Sequence, residues 1–133
     1  MSRGTFGCRG CKRGDQGQAA VELALVLPFV AMLALVLVQV ALVVRDQVLV
    51  SHAAREAARE AAVSEDPGLA GQAARASDAL DPARLVVEVS GRGRPGSRVR
   101  VDVGYAAPTD VPLVGPMVGD VALSGAATMR VER

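Results

Sequence analysis

Residues 23–44 read "LALVLPFVAMLALVLVQVALVV", 22 consecutive residues without a charge and with Gln39 as their one strongly polar side chain. A membrane-spanning helix needs about 20 such residues. In a chain of 133 residues nothing else is large enough to surround so long an apolar segment as a buried core helix. A cleaved secretory signal is the nearest alternative, but its apolar stretch is usually about 7–15 residues, and this run is longer. The run predicts a transmembrane helix, assigned to residues 18–44. Pro28 falls early in it, where neighbouring groups can re-satisfy the freed carbonyl.

The two flanks of the run differ. Residues 1–17 are polar, glycine-rich and basic, with Arg3, Arg9, Lys12 and Arg13 against Asp15. They show no apolar periodicity and read as a leader without regular structure. On the other side stand Arg45, Arg55 and Arg59. The excess of cations on the amino-terminal side favours an inside amino terminus, though the bias is small. Cys8 and Cys11 in "CRGC" have the spacing of half a metal site or of a redox pair. A structural zinc site needs about four ligands, and the sequence offers no other cysteine and a single histidine, His52. Neither a metal nor a disulfide framework follows from them.

Beyond the run, "RDQVLVSHAAREAAREAAV" is rich in alanine, the strongest helix former. Ala53, Ala54, Ala57, Ala58, Ala61 and Ala62 make one stripe. Arg55, Glu56, Arg59 and Glu60 make the opposite face, with Glu56 and Arg59 spaced for an i,i+3 pair. The helix therefore leaves the membrane and continues from Gln18 to Val63, until "SEDPG" ends it. Residues 45–66 form its extracytoplasmic continuation. Residues 67–133 form a small α+β ectodomain. In it "LAGQAARASDAL" can hold a short helix, residues 85–91 are a strand, and "RGRPGS" is the turn of a hairpin. "RVRVDVGYAA" alternates Val99, Val101, Val103 and Tyr105 against Arg98, Arg100 and Asp102, the clearest strand signal in the chain. "PTDVPLVGPMVG" is too rich in Pro and Gly for regular structure, and residues 120–131 give a last strand. The predicted fold is α+β: a long membrane helix continuing into a domain with a three-stranded antiparallel sheet. The alanine stripe is expected to cover the valine face of that sheet. With few aromatics and no crosslinks, such a core is thin.

Glu22 stands at the threshold of the apolar run. A carboxylate entering hydrocarbon is costly, so an acid there is by default a candidate functional residue. Gly17 precedes it at the boundary between the polar leader and the apolar run, and Glu22 is the fifth residue after Gly17. This layout resembles a type IV prepilin processing site. Together with "LALVLP", "SHAAREAARE" and the terminal "ATMRVE", the chain resembles the TadE-like family, minor pilins or pseudopilins of the tight-adherence pilus system. The resemblance implies cleavage between Gly17 and Gln18 by a prepilin peptidase at the cytoplasmic face. It implies a single-pass protein of the cytoplasmic membrane, with its ectodomain outside or released into an extracellular pilus. It also implies partners: other pilin and pseudopilin subunits and the inner-membrane platform of the pilus machinery, in contact with membrane lipid. Glu22 would pair with the amino-terminal charge of a neighbouring subunit. Leu23 stands where the major pilins of this system usually carry an aromatic, which favours a minor subunit.

Other chemistry finds little support. A net charge of +1 argues against a dedicated nucleic-acid protein. No phosphate-binding glycine loop, paired catalytic carboxylates or nucleophile–base set is present, so neither enzyme activity nor a cofactor is expected. Arg92, Arg94, Arg98 and Arg100 cluster around the hairpin turn and offer a contact for an anionic surface. A charge-rich turn is more often simply solvated. The alternative to a pilin-like subunit is an unprocessed single-pass anchor presenting a small binding domain outside the cell.

Overall fold

The apolar run and the alanine-rich stretch form one helix, α1 (Gly14–Val63), in a computed structural model that describes residues 14–76 and 79–132. At 50 residues it is about 75 Å long. Its most apolar window has a mean hydropathy of 2.7, and 6% of that window is buried by the rest of the protein. The helix is long and apolar enough to cross a membrane, and its apolar surface is left uncovered for lipid. It begins four residues before Gln18, where the sequence placed its start. Adding residues to an existing helix costs far less than nucleating one, and first-turn N–H groups have no intrahelical partner to lose. The rest of the basic leader, with Arg3, Cys8, Arg9, Cys11, Lys12 and Arg13, lies outside the described residues.

After Val63 the chain turns through Ser64, Glu65 and Asp66 into α2 (Pro67–Arg75). Asp66 caps it, its carboxylate accepting from the Gly68 N–H at 2.8 Å, and a proline at the first helical position suits a site with no hydrogen bond to lose. α2 packs on α1 through Ala70, Gly71 and Ala74. A single turn over Pro82–Arg84, capped by Asp81, leads into the sheet. The strands β1 (Leu85–Ser90), β2 (Arg98–Ala107) and β3 (Val121–Arg130) are antiparallel in the order β1-β2-β3. One short helical turn, α3 (Gly115–Val118), interrupts the segment expected to lack regular structure.

The core sits where the alanine stripe meets the sheet. Ala54, Ala57, Ala58, Val99 and Val101 are fully buried, and Ala53, Ala61, Ala62, Val103 and Tyr105 nearly so. Alanine can line this contact because β2 supplies the bulk and the helix supplies a smooth face for close approach. Glu56 and Arg59 do not form the ion pair their spacing allowed. Among the described residues the ion pairs are Arg84 with Asp81 and Asp120, and Arg100 with Asp102.

β3 runs up α1 in the same direction as the helix. Near its start the Gln47 amide donates to the Ser124 carbonyl at 2.8 Å, and just past its end the Glu132 N–H donates to the Ala62 carbonyl at 3.1 Å. The β2–β3 connection thus lies beside the apolar run, and the β1–β2 turn lies at the far end of the domain. Between these ends Gly125 faces the helix backbone. A Cβ built there would lie 3.1 Å from the Val50 carbonyl oxygen and 3.3 Å from the Ser51 backbone. Gly104 stands on the same sheet, but its Cβ would meet nothing nearer than Val86 at 4.0 Å.

Gly125→Val should therefore force sheet and helix apart, costing about 1–3 kcal/mol in the thermal unfolding of the full chain in detergent. Gly104→Ala should be neutral or mildly stabilising. In the same assay Ala57→Glu, which buries a charge, should lower the melting temperature several-fold more than Arg59→Glu on the solvent face. Equal shifts for either pair would contradict this packing.

Candidate functional site

Gly17, Gln18 and Glu22 all lie on α1, and all three are exposed. Gln18 and Glu22 are four residues apart, so they occupy one face of the helix, a turn from each other. A Cβ on Gly17 would meet nothing within 4 Å, so the backbone there is open to approach from outside. The carboxylate is thus held at the start of the apolar run on an uncovered helix face, available to a second molecule.

The four arginines sit elsewhere. Arg98 opposes Arg130 across β2 and β3, and the Gly96 N–H donates to the Val131 carbonyl at 2.8 Å. That fixes the turn beside the carboxy-terminal end of α1. Ala62, which meets this end of the sheet, is roughly 27 Å along the helix from Val44. The cluster and Glu22 are therefore at opposite ends of the molecule, and the arginines are remote from the bilayer that α1 would cross. Nor are they equivalent. Arg100 is engaged by Asp102, its Nε and Nη2 donating to both carboxylate oxygens at 2.8–3.1 Å. Arg92 is half-buried and its Nη2 finds no partner among the described residues. Arg94 and Arg98 are exposed.

The hydrogen bonds from Arg100 hold the Asp102 carboxyl below its usual range, against a smaller opposing effect of desolvation, with the ionic attraction adding to them. The same partner raises Arg100. A lowered carboxylate pKa contributes stability above the ordinary carboxylate range, and that contribution is lost as pH falls through the lowered value. Both side chains are exposed, so the contribution is small. Among the described residues no three His, Cys, Asp or Glu side chains gather as a metal site would require.

Residues 17–59 match the TadE-like protein family. Over this third of the chain the sequence is similar to that family. The matched segment opens on Gly17, contains Glu22 and the whole apolar run, and ends within the alanine stripe. Neither the curated proteins nor the solved structures give a match to the chain. The TadE-like segment is therefore α1 without its ends, and the sheet lies outside it.

Sequence reading singled out Gln39 as an exception within the run but gave it no role. In the structure Gln39 is 6% exposed and neither its amide nitrogen nor its oxygen has a partner among the described residues. It faces an apolar cavity of about 250 Å³ shared with Val36, Val40, Val43, Val114 and Val121. The signal that could have located it is the apolar content of the β2–β3 connection, which covers it. Gln39→Leu removes two buried unpaired polar atoms at nearly constant volume. It should leave the melting temperature in lipid unchanged or raise it, as the loss of a desolvation penalty of up to about 1–3 kcal/mol requires. A lower melting temperature would mean that the amide finds a partner in the membrane.

Proposed function

We propose that this TadE-like chain is a minor pilin, cut after Gly17 by a prepilin peptidase and then taken into a tight-adherence pilus or a related secretion apparatus. The family ties the chain to that pilus machinery in general terms. The observation that carries the finer reading is the coincidence of three features on one helix. The family match begins at Gly17, Glu22 is exposed four residues beyond Gln18, and the same helix carries the ectodomain. In this reading the amino terminus is cytoplasmic and the sheet is outside. The partners are the peptidase, other pilin and pseudopilin subunits and the inner-membrane platform, and the exposed Arg94 and Arg98 can meet an anionic surface beyond the membrane.

Cleavage changes the setting of Glu22. In the uncut chain it lies nine residues into α1. After removal of residues 1–17 it is the fifth residue of a shortened helix, close to unpaired N–H groups and to a new positive amino terminus. Negative charge is favoured there by about 0.3–1 kcal/mol. A neighbouring subunit's terminus would satisfy the carboxylate further, because a paired ion in hydrocarbon costs far less than a lone one. The acid thus disfavours the isolated subunit and favours the assembled one. The second reading, an unprocessed anchor with a small binding domain, draws on one observation: the Gly17–Gln18 bond lies inside α1. Helix ends fray, so local opening at this end would expose the bond.

Mass spectrometry of the protein from membranes of a host with an active prepilin peptidase should find a chain beginning at Gln18. Gly17→Val should abolish the cut by crowding the bond. A Met1-initiated chain as the sole species would establish the anchor instead. Glu22→Ala should be inserted and cut normally yet lose its crosslinks to pilin subunits, with Glu22→Asp intermediate. Full assembly by Glu22→Ala would reduce Glu22 to a tolerated interfacial acid.

A further inference from the structure

The connection between β2 and β3 is an unusual surface loop. Residues 111–119, "VPLVGPMVG", carry no charge, while Asp110 and Asp120 stand at either side. Surface connections are ordinarily polar, yet Leu113 is 73% exposed, Met117 76% and Val118 58%. Its shape is fixed. The Thr109 hydroxyl donates to the Gly119 carbonyl and closes the neck, and the Gly115 N–H donates to the Val111 carbonyl at 2.9 Å. A Cβ on Gly115 would collide with the Thr109 carbonyl, so this close approach requires glycine. Leu113 has φ of 68°, a left-handed backbone that a branched apolar residue adopts only at a cost. The strained conformation accompanies a large apolar side chain left in the open.

What sets the loop apart from a merely exposed patch is its level along α1. Val114 and Val118 line a cavity with Val36, Gln39, Val40, Val43 and Val44. Val36 lies about 12 Å inside Val44, the last residue of the apolar run. Charges gather just beyond that level. Arg45 and Asp46 follow Val44 on α1, and Arg84 pairs with Asp120 at 2.9 Å. Apolar side chains on one side of a charged belt are what a protein presents to the boundary between headgroups and acyl chains, a zone in which interfacial elements sit about 5–10 Å deep. Backbone at that depth must have its polar groups satisfied, and several of those in this loop bond within it: Met117 and Val118 N–H to the Val114 carbonyl and Gly119 N–H to that of Gly115.

We propose that residues 111–118 form a second membrane contact, an apolar loop seated among the acyl chains of the leaflet from which α1 emerges, with Leu113, Met117 and Val118 in hydrocarbon. It rests on α1 crossing the membrane over residues 23–44. The loop covers Gln39, so that the amide in the span is turned to protein and away from lipid. Two contacts, helix and loop, fix the tilt of the ectodomain against the membrane and which of its faces turns toward lipid, which a single helix does not.

The chain has no tryptophan, so a single introduced one reports its own surroundings. Leu33→Trp, Met117→Trp and Thr128→Trp place it in the span, on the loop and on the exposed distal part of the sheet. Each full-length variant is reconstituted in phosphatidylcholine vesicles with or without bromine on the acyl chains. Leu33→Trp and Met117→Trp should both lose emission to bromine, and Thr128→Trp should keep it. Val118→Trp repeats the loop measurement at a second site should Met117→Trp fold poorly. Quenching of Leu33→Trp without quenching at either loop position overturns the proposal and leaves the spanning helix intact, and pairing of the loop with a second copy would give that result. No quenching of Leu33→Trp overturns the spanning reading, and the loop contact with it.

Discussion

The close approach of the α1 backbone to the sheet is the contact from which the rest of the domain follows. Along residues 53–62 the helix offers methyl groups and nothing larger, and at Gly125 the strand offers no side chain at all. Where Gly125 meets Val50 and Ser51, strand backbone lies against helix backbone. The valines of β2 then fill the remaining space and are shut from water. Alanine brings little apolar area per residue, so the domain gains stability from fit more than from bulk. A side chain added on either surface acts on the whole contact. The sheet needs no other layer because α1 and α2 together close its inner face.

Much of this was legible in the sequence, for reasons that can be traced to particular residues. The uncharged run, the alanine stripe and the alternation of Val99, Val101, Val103 and Tyr105 each carry a periodicity that only one structure satisfies. The strand β2 lies where that alternation placed it, and β3 follows its own, with Leu123 buried in it and Val131 buried just past its end. What escaped depends on neighbours that are distant in sequence. The burial of Gln39 arises from a loop some 75 residues away. Gly125 looked like one more small residue of an alternating strand until the helix was set against it. Glu56 and Arg59 have the right spacing, but on an exposed face the entropy of two long side chains outweighs a weak attraction. The early start of α1 could not be read from the glycine-rich leader, because extension from a strong helix overrides local preference. At the candidate site, the residue types and their spacing were readable, whereas their shared exposure on one helix face needed the structure.

The molecule is polar along its length as well as across its sheet. Glu22 is at one end, exposed and in no ion pair among the described residues. The arginine-rich turn is at the other, past the end of β3. Between them Arg84 pairs with both Asp81 and Asp120, close to the last residues of the apolar run. Ion pairs thus occur at both levels of the domain, at Arg84 near the end of the apolar run and at Arg100 toward the distal turn.

Because a single helix is both the segment long and apolar enough to cross a membrane and the inner wall of the sheet domain, the two have no joint between them. A tilt of the span swings the sheet through the same angle, and at the distal turn, some 27 Å past Val44, that becomes a displacement of many ångströms. A pull applied to the sheet reaches the apolar segment as tension along the ladder of helical hydrogen bonds. The ladder lacks one rung inside the span, at Pro28. Mechanically α1 is a stiff lever, and with a missing helical hydrogen bond at Pro28 its bending concentrates within the apolar segment, away from the folded head.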